Sequence, residues 1–98
     1  MEKFAYRDQI TKTIIGILTR YGAERIAIFG SYARGEATEK SDIDILVRFD
    51  HPKSLLQLVD IEDELGESLH LKVDLLTEKA ISPYLKESVH RDEMVIYG

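Results

Sequence analysis

Asp42 and Asp44 stand two residues apart at the head of the apolar run Ile43-Asp44-Ile45-Leu46-Val47. Side chains alternate along a strand with period two. Ile43, Ile45 and Val47 therefore share one face, and the two carboxylates share the other. Like charges about 4 Å apart repel by roughly 4 kcal/mol at an effective dielectric of 20. A fold relieves such a pair with a shared proton, a neighbouring Arg or Lys, or a metal ion. Oxygen donors with no His or Cys among them point to a hard cation, Mg2+ or Mn2+.

A third carboxylate, Asp74, interrupts Val73-Asp74-Leu75-Leu76. If this strand lies beside the one carrying Asp44, as a right-handed βαβ crossover places it, Asp74 joins the other two. Three carboxylates can hold two divalent ions, which activate an attacking oxygen and steady a leaving phosphate. An Asp74 turned to water on an open sheet face is the plainer alternative.

Upstream, Gly30-Ser31 follows the apolar run Ile26-Ala27-Ile28-Phe29. A glycine at a strand end lets the backbone approach a ligand closely. The next amides, at Ser31 and Tyr32, open a short turn and can point at anionic oxygens, with the Ser31 hydroxyl as a further donor. Gly35 lets the chain swing back toward Asp42. Arg34 either meets a phosphate or pairs with Glu36 or a helix carboxylate. Lys72, two residues from Asp74, either balances the carboxylates or touches a phosphate. Ser41 caps the turn or touches the nucleotide, and the cap is the favoured reading. His51, His70 and His90 have no metal-ligand spacing.

The elements that must position these residues are legible around them. Apolar residues at Ile10, Ile14, Ile17, Leu18 and Tyr21 have helical spacing over Phe4 to Tyr21, and Gly22 is a natural stop. Strands are expected at Arg25–Phe29, Ile43–Phe49, Leu71–Leu76 and Met94–Tyr97. Ser54 caps a helix to about Leu69, with Leu55, Leu58, Val59, Leu65 and Leu69 as its apolar face and Glu62 interrupting the stripe. Its acidic cluster, Asp60, Glu62, Asp63 and Glu64, reads as a solvated face. Ser82-Pro83 opens a short helix to about His90. The order α-β-(turn)-β-α-β-α-β describes an α/β fold with helices packed on one small sheet.

The 98 residues suit one domain, 1–98. The absence of cysteine excludes thiolate metal sites and fits a reducing cytoplasm. No apolar run is long enough to span a membrane, and Met1-Glu2-Lys3-Phe4 lacks a signal-peptide pattern. The net charge of −5 gives no electrostatic help toward a nucleic-acid backbone, so direct nucleic-acid binding is not expected. A phosphorylated small substrate that arrives with a divalent cation is compatible with it, as is a basic protein partner.

Together these residues resemble the nucleotidyltransferase superfamily that includes DNA polymerase beta and the aminoglycoside nucleotidyltransferases. Its pattern is Gly-Ser, a spacer, Asp-x-Asp and a later Asp, matched here by Gly30-Ser31, Asp42-Ile43-Asp44 and Asp74. Chain length, Gly-Ser-x-Ala-Arg-Gly-x-Ala and Ser-Asp-Ile-Asp-Ile-Leu-Val are most similar to the minimal nucleotidyltransferases of bacteria and archaea, including MntA-type antitoxins. The resemblance implies a mixed sheet flanked by helices and a two-metal transfer of a nucleoside monophosphate, AMP from ATP. It implies metal ligation by Asp42, Asp44 and Asp74, and nucleotide binding by Gly30 and Ser31. It also implies a HEPN-type toxin as partner and a hydroxyl of that partner as acceptor. A binding module that neutralises a partner by occlusion is the competing reading, and a second copy of the chain is another partner to consider.

Overall fold

A computed structural model describes residues 2–38, 41–81 and 83–98, with the side chains of residues 2–8, 85, 86, 88 and 90 outside the description. The expected Ser82 cap lies outside the described residues. The elements are α1 (Glu2–Arg20), β1 (Ala23–Phe29), the short α2 (Ser31–Arg34), β2 (Ile43–Phe49), α3 (Leu55–Leu69), β3 (Val73–Thr77), α4 (Pro83–Asp92) and β4 (Met94–Tyr97). A 3-10 turn at Glu78–Ala80, unanticipated from the pattern, joins β3 to α4.

Among the described residues the strands form one four-stranded sheet, ordered β3-β2-β1-β4. β1 runs antiparallel to both β2 and β4. β2 and β3 are parallel, as their connection through α3 requires. The sheet is therefore mixed, and the expected adjacency of the two acidic strands holds.

Period-two alternation sorts the sheet into unequal faces. Ile26, Ile28, Ile43, Ile45, Val47 and Val73 pack against Ile10, Ile14, Ile17 and Leu18 of α1 and Ile61, Leu65 and Leu69 of α3. This is the main core. The opposite face holds a smaller cluster, in which Ala27 and Leu46 meet Val89 of α4 with Phe29, Leu76 and Ile81 around them. That second face is the one Asp44 and Asp74 share by alternation, and its strand-start end carries acids instead of core.

α3 begins with the expected Ser54 cap, strengthened into a capping box. The Gln57 amide donates to Ser54 Oγ at 3.2 Å, and the Ser54 amide donates to Gln57 Oε1 at 2.8 Å. Its apolar face differs from the expected one. Leu55 and Val59 are exposed, along with Leu56, and Ile61 is buried instead. Helical spacing identifies a stripe there but not which of its residues a neighbouring element covers. The acidic cluster also divides. Asp60 and Asp63 are exposed, whereas half-buried Glu64 accepts hydrogen bonds from Arg20 (2.6 Å) and from the Tyr21 hydroxyl (2.5 Å).

These burials predict contrasting stability effects. Leu65→Ala, at a fully buried position, should cost about 2–5 kcal/mol. Leu55→Ala, 78% exposed, should stay within about 0.5 kcal/mol. Urea denaturation of the two variants checks both.

Candidate active site

The site is built on the parallel pair β2 and β3. Its register sets Ile43 opposite Val73, Asp44 opposite Asp74 and Ile45 opposite Leu75. Asp44 and Asp74 thus lie side by side on adjacent strands, which are separated by about 4.8 Å. The Ile43 amide donates to the Lys72 carbonyl at 3.0 Å, which brings Asp42 level with Lys72. Lys72 Nζ stands 3.8 Å from Asp42 Oδ2. Asp42 and Asp44 are half-buried and Asp74 is exposed, so the three carboxylates form an open acidic face.

Asp44 carries the electrostatic strain. Partial burial, then the charges of Asp74 and Asp42, raise its carboxyl above the usual carboxylate range, and Arg34 opposes the rise. The cations nearby offset little of this. Lys72 is 81% exposed, where an ion pair contributes about 0–1 kcal/mol. Arg34 is committed elsewhere: Nε donates to Glu36 at 3.2 Å and Nη1 to Asp92 at 3.4 Å.

The Gly30 turn faces this pair. Phe29, the last residue of β1, is in register with Asp44, so the chain leaves the sheet beside the strained carboxylate. Gly30 has φ +74°, a conformation that L side chains rarely adopt, and a Cβ there would overlap the Asp44 carboxylate. The close approach expected of Gly30 is thus, within the chain, an approach to Asp44. The first amides of a helical turn lack acceptors within the helix, and the N-cap residue, Gly30, has no side chain to cap them. Ser31 is half-buried at its start. Gly35 ends the turn at φ +73°, with its amide donating to Tyr32 O and the Glu36 amide to Ser31 O.

Of the remaining candidates, Ser41 takes the capping role, its Oγ accepting from the Thr38 amide at 2.8 Å. Arg34 takes the ion-pair role, bridging α2 to Glu36 and to Asp92 of α4. Lys72 balances Asp42 and not Asp74. The helix carboxylate that Arg34 meets is Asp92 of α4, 58 residues away, which only folding brings near. His51 is exposed and pairs with Asp50 at 3.2 Å.

Among the described residues, no three acidic, histidine or cysteine side chains are gathered tightly enough to hold a metal ion as they stand. The donor chemistry nonetheless suits a hard cation. It is oxygen-only, it is under mutual repulsion, and it is open on the side where a phosphate could complete the coordination.

A mixed sheet with acids on two adjacent parallel strands and a Gly-Ser turn beside them is the arrangement of a nucleotidyltransferase. Residues 11–95 match the family model of the nucleotidyltransferase domain, and the chain belongs to that family. It is 50% identical over 78 residues to MJ0126 of Methanocaldococcus jannaschii, spanning 79% of this chain and 80% of that one. It is 42% identical over 78 residues to the protein adenylyltransferase MntA of Thermococcus cleftensis, spanning 80% and 77%. In structure it is similar to a chain from a crystal structure of a toxin-antitoxin with AMP-PNP. The TM-score is 0.84 at 27% identity, covering 90% of this chain and 73% of that one.

The strain at Asp44 has a consequence for stability. A carboxyl raised on folding makes the native state lose stability as pH climbs from the ordinary value of 3.8 through the folded one. Asp44→Asn removes that penalty. In buffer free of divalent cations, the variant should melt above the wild type at pH 7, and the advantage should disappear as pH falls below 3.8. Thermal unfolding followed by circular dichroism checks this; an equal or lower midpoint at pH 7 contradicts it.

Proposed function

We propose that the chain is a metal-dependent nucleotidyltransferase that moves AMP from ATP onto a hydroxyl of a partner protein, and that it serves as the antitoxin of a HEPN-type toxin. The observation that carries the reading is the in-register pair Asp44 and Asp74, with Asp42 beside it and the Gly30-Ser31 turn against Asp44. The relative named protein adenylyltransferase and the structural neighbour from a toxin-antitoxin with AMP-PNP support the donor and the partner class.

Asp42 and Asp44 would hold divalent cations, Mg2+ or Mn2+, with Asp74 completing a two-ion site. Such ions, when bound, lower the charge on the triphosphate and raise the nucleophilicity of the acceptor oxygen. The chain's own groups do the rest. Ser31 and the amides that open α2 hold the anionic oxygens. Asp74 accepts the proton of the acceptor hydroxyl. The acceptor oxygen bonds to the α-phosphorus as the bond to the bridging oxygen breaks, and pyrophosphate leaves. Because the chain carries a net −5, ATP approaches favourably only with its cations. Arg34 can exchange its exposed carboxylate partners for a phosphate, since surface pairs of this kind are weak.

Incubation with α-labelled ATP, Mg2+ and the cognate partner should label the partner. Chelation of the metal, or Asp44→Ala, should abolish the label. Labelling that survives Asp44→Ala rejects the mechanism.

One observation favours a second reading, neutralisation by occlusion. Leu55 and Leu56 are each 78% exposed and Val59 46% exposed, an apolar face on the start of α3. A triple variant with Asn at positions 42, 44 and 74 that still fully protects cells from the toxin would favour occlusion; loss of protection with an intact complex favours transfer.

A further inference from the structure

Glu62 sits where the α3 stripe should be apolar, between buried Ile61 and Leu65, and is itself half-buried. Its carboxylate has a specific partner. Leu75 N–H donates to Glu62 Oε2 at 2.9 Å in a partly buried bond. Among the described residues β3 pairs with β2 alone, so it is an edge strand. The outward amides of an edge strand have no ladder partner. Glu62 supplies one from the helix side of the sheet.

The bond falls at a telling place. The Leu75 N–H belongs to the planar peptide unit that leaves Asp74, so holding that N–H fixes the backbone rotation at Asp74. Asp74 needs holding. Its strand has five residues, and its in-register neighbour is another carboxylate, an arrangement that pushes adjacent strands apart. An ionised acceptor also makes a stronger hydrogen bond than a neutral one.

From this geometry we infer that Glu62 is a positioning residue for the transfer reaction. It pins the Asp74–Leu75 peptide at the sheet edge and so sets where the Asp74 carboxylate meets the acceptor hydroxyl. Glu62 lies on the α3 side of the sheet and acts only through Asp74. The inference rests on the transfer reading above.

The test compares Glu62→Leu with Glu62→Gln in the full chain with its cognate partner. Leu extends the apolar stripe but cannot accept a hydrogen bond, whereas Gln keeps a carbonyl acceptor. Two readouts are taken: hydrogen exchange of the Leu75 amide, and kcat and KM for labelling from α-labelled ATP. In Glu62→Leu, Leu75 exchange should accelerate and kcat should fall roughly 10- to 100-fold, with KM for ATP little changed. Glu62→Gln should restore both toward wild type. Should the Leu variant fail to fold, Glu62→Ala carries the same comparison. Wild-type kcat in Glu62→Leu despite faster Leu75 exchange overturns the inference, as does a Glu62→Gln as impaired as Glu62→Leu. A wild-type chain that transfers no label rejects the functional reading instead, and Leu75 exchange then decides by itself whether Glu62 holds the strand edge.

Discussion

The structure depends on keeping two like charges together. Parallel pairing of β2 with β3 sets Asp44 directly beside Asp74, with Asp42 two residues upstream. The electrostatics mostly oppose this: partial burial and the charges of Asp74 and Asp42 raise the Asp44 carboxyl, and Arg34 counters only in part. What holds it is the other face of the same strands. Ile43, Ile45, Val47 and Val73 are sealed under α1 and α3. Each such side chain contributes about 1.5–3 kcal/mol of burial. Because side chains alternate, the register that buries these residues is also the register that aligns the acids. The strands cannot slip by one residue to separate the charges without exposing the core.

The turn after β1 belongs to the same constraint. Register sets Phe29 beside Asp44, so the chain must leave the sheet against a carboxylate. Only a residue without a Cβ fits there, and Gly30 is that residue. The result is a Gly-Ser turn and an acidic pair held by the same short span of sheet. Sites of this kind store destabilisation that the rest of the fold offsets. Here the offset comes mainly from the α1–α3 side, since the second core around Leu46 is small.

The residues that sequence reasoning placed wrongly share a cause. Leu55 and Val59 have helical spacing, but no other element covers them enough to bury them. Glu62 and Glu64 looked like a solvated acidic run. Glu64 instead serves Tyr21 and Arg20, and Glu62 serves the Leu75 amide. Arg34 differs from these: its ion-pair reading, with Glu36 or a helix carboxylate, is the one observed, and only folding shows that the helix carboxylate is Asp92. In each case the deciding neighbour lies on another element, and one-dimensional periodicity carries no information about it.

The pattern within short segments was determined by sequence alone. Period two aligned Asp42 and Asp44, Gly30-Ser31 marked the turn, Ser54 marked a helix start, and the element order defined the fold class. These depend on local backbone geometry, which each segment carries with it. Tertiary structure decided what stands beside what: Asp74 in register with Asp44, Gly30 against the Asp44 carboxylate, Lys72 at Asp42, and Glu62 under the edge of β3. Those pairings arise from packing whole strands and helices together, where burial of one face dictates the company kept by the other.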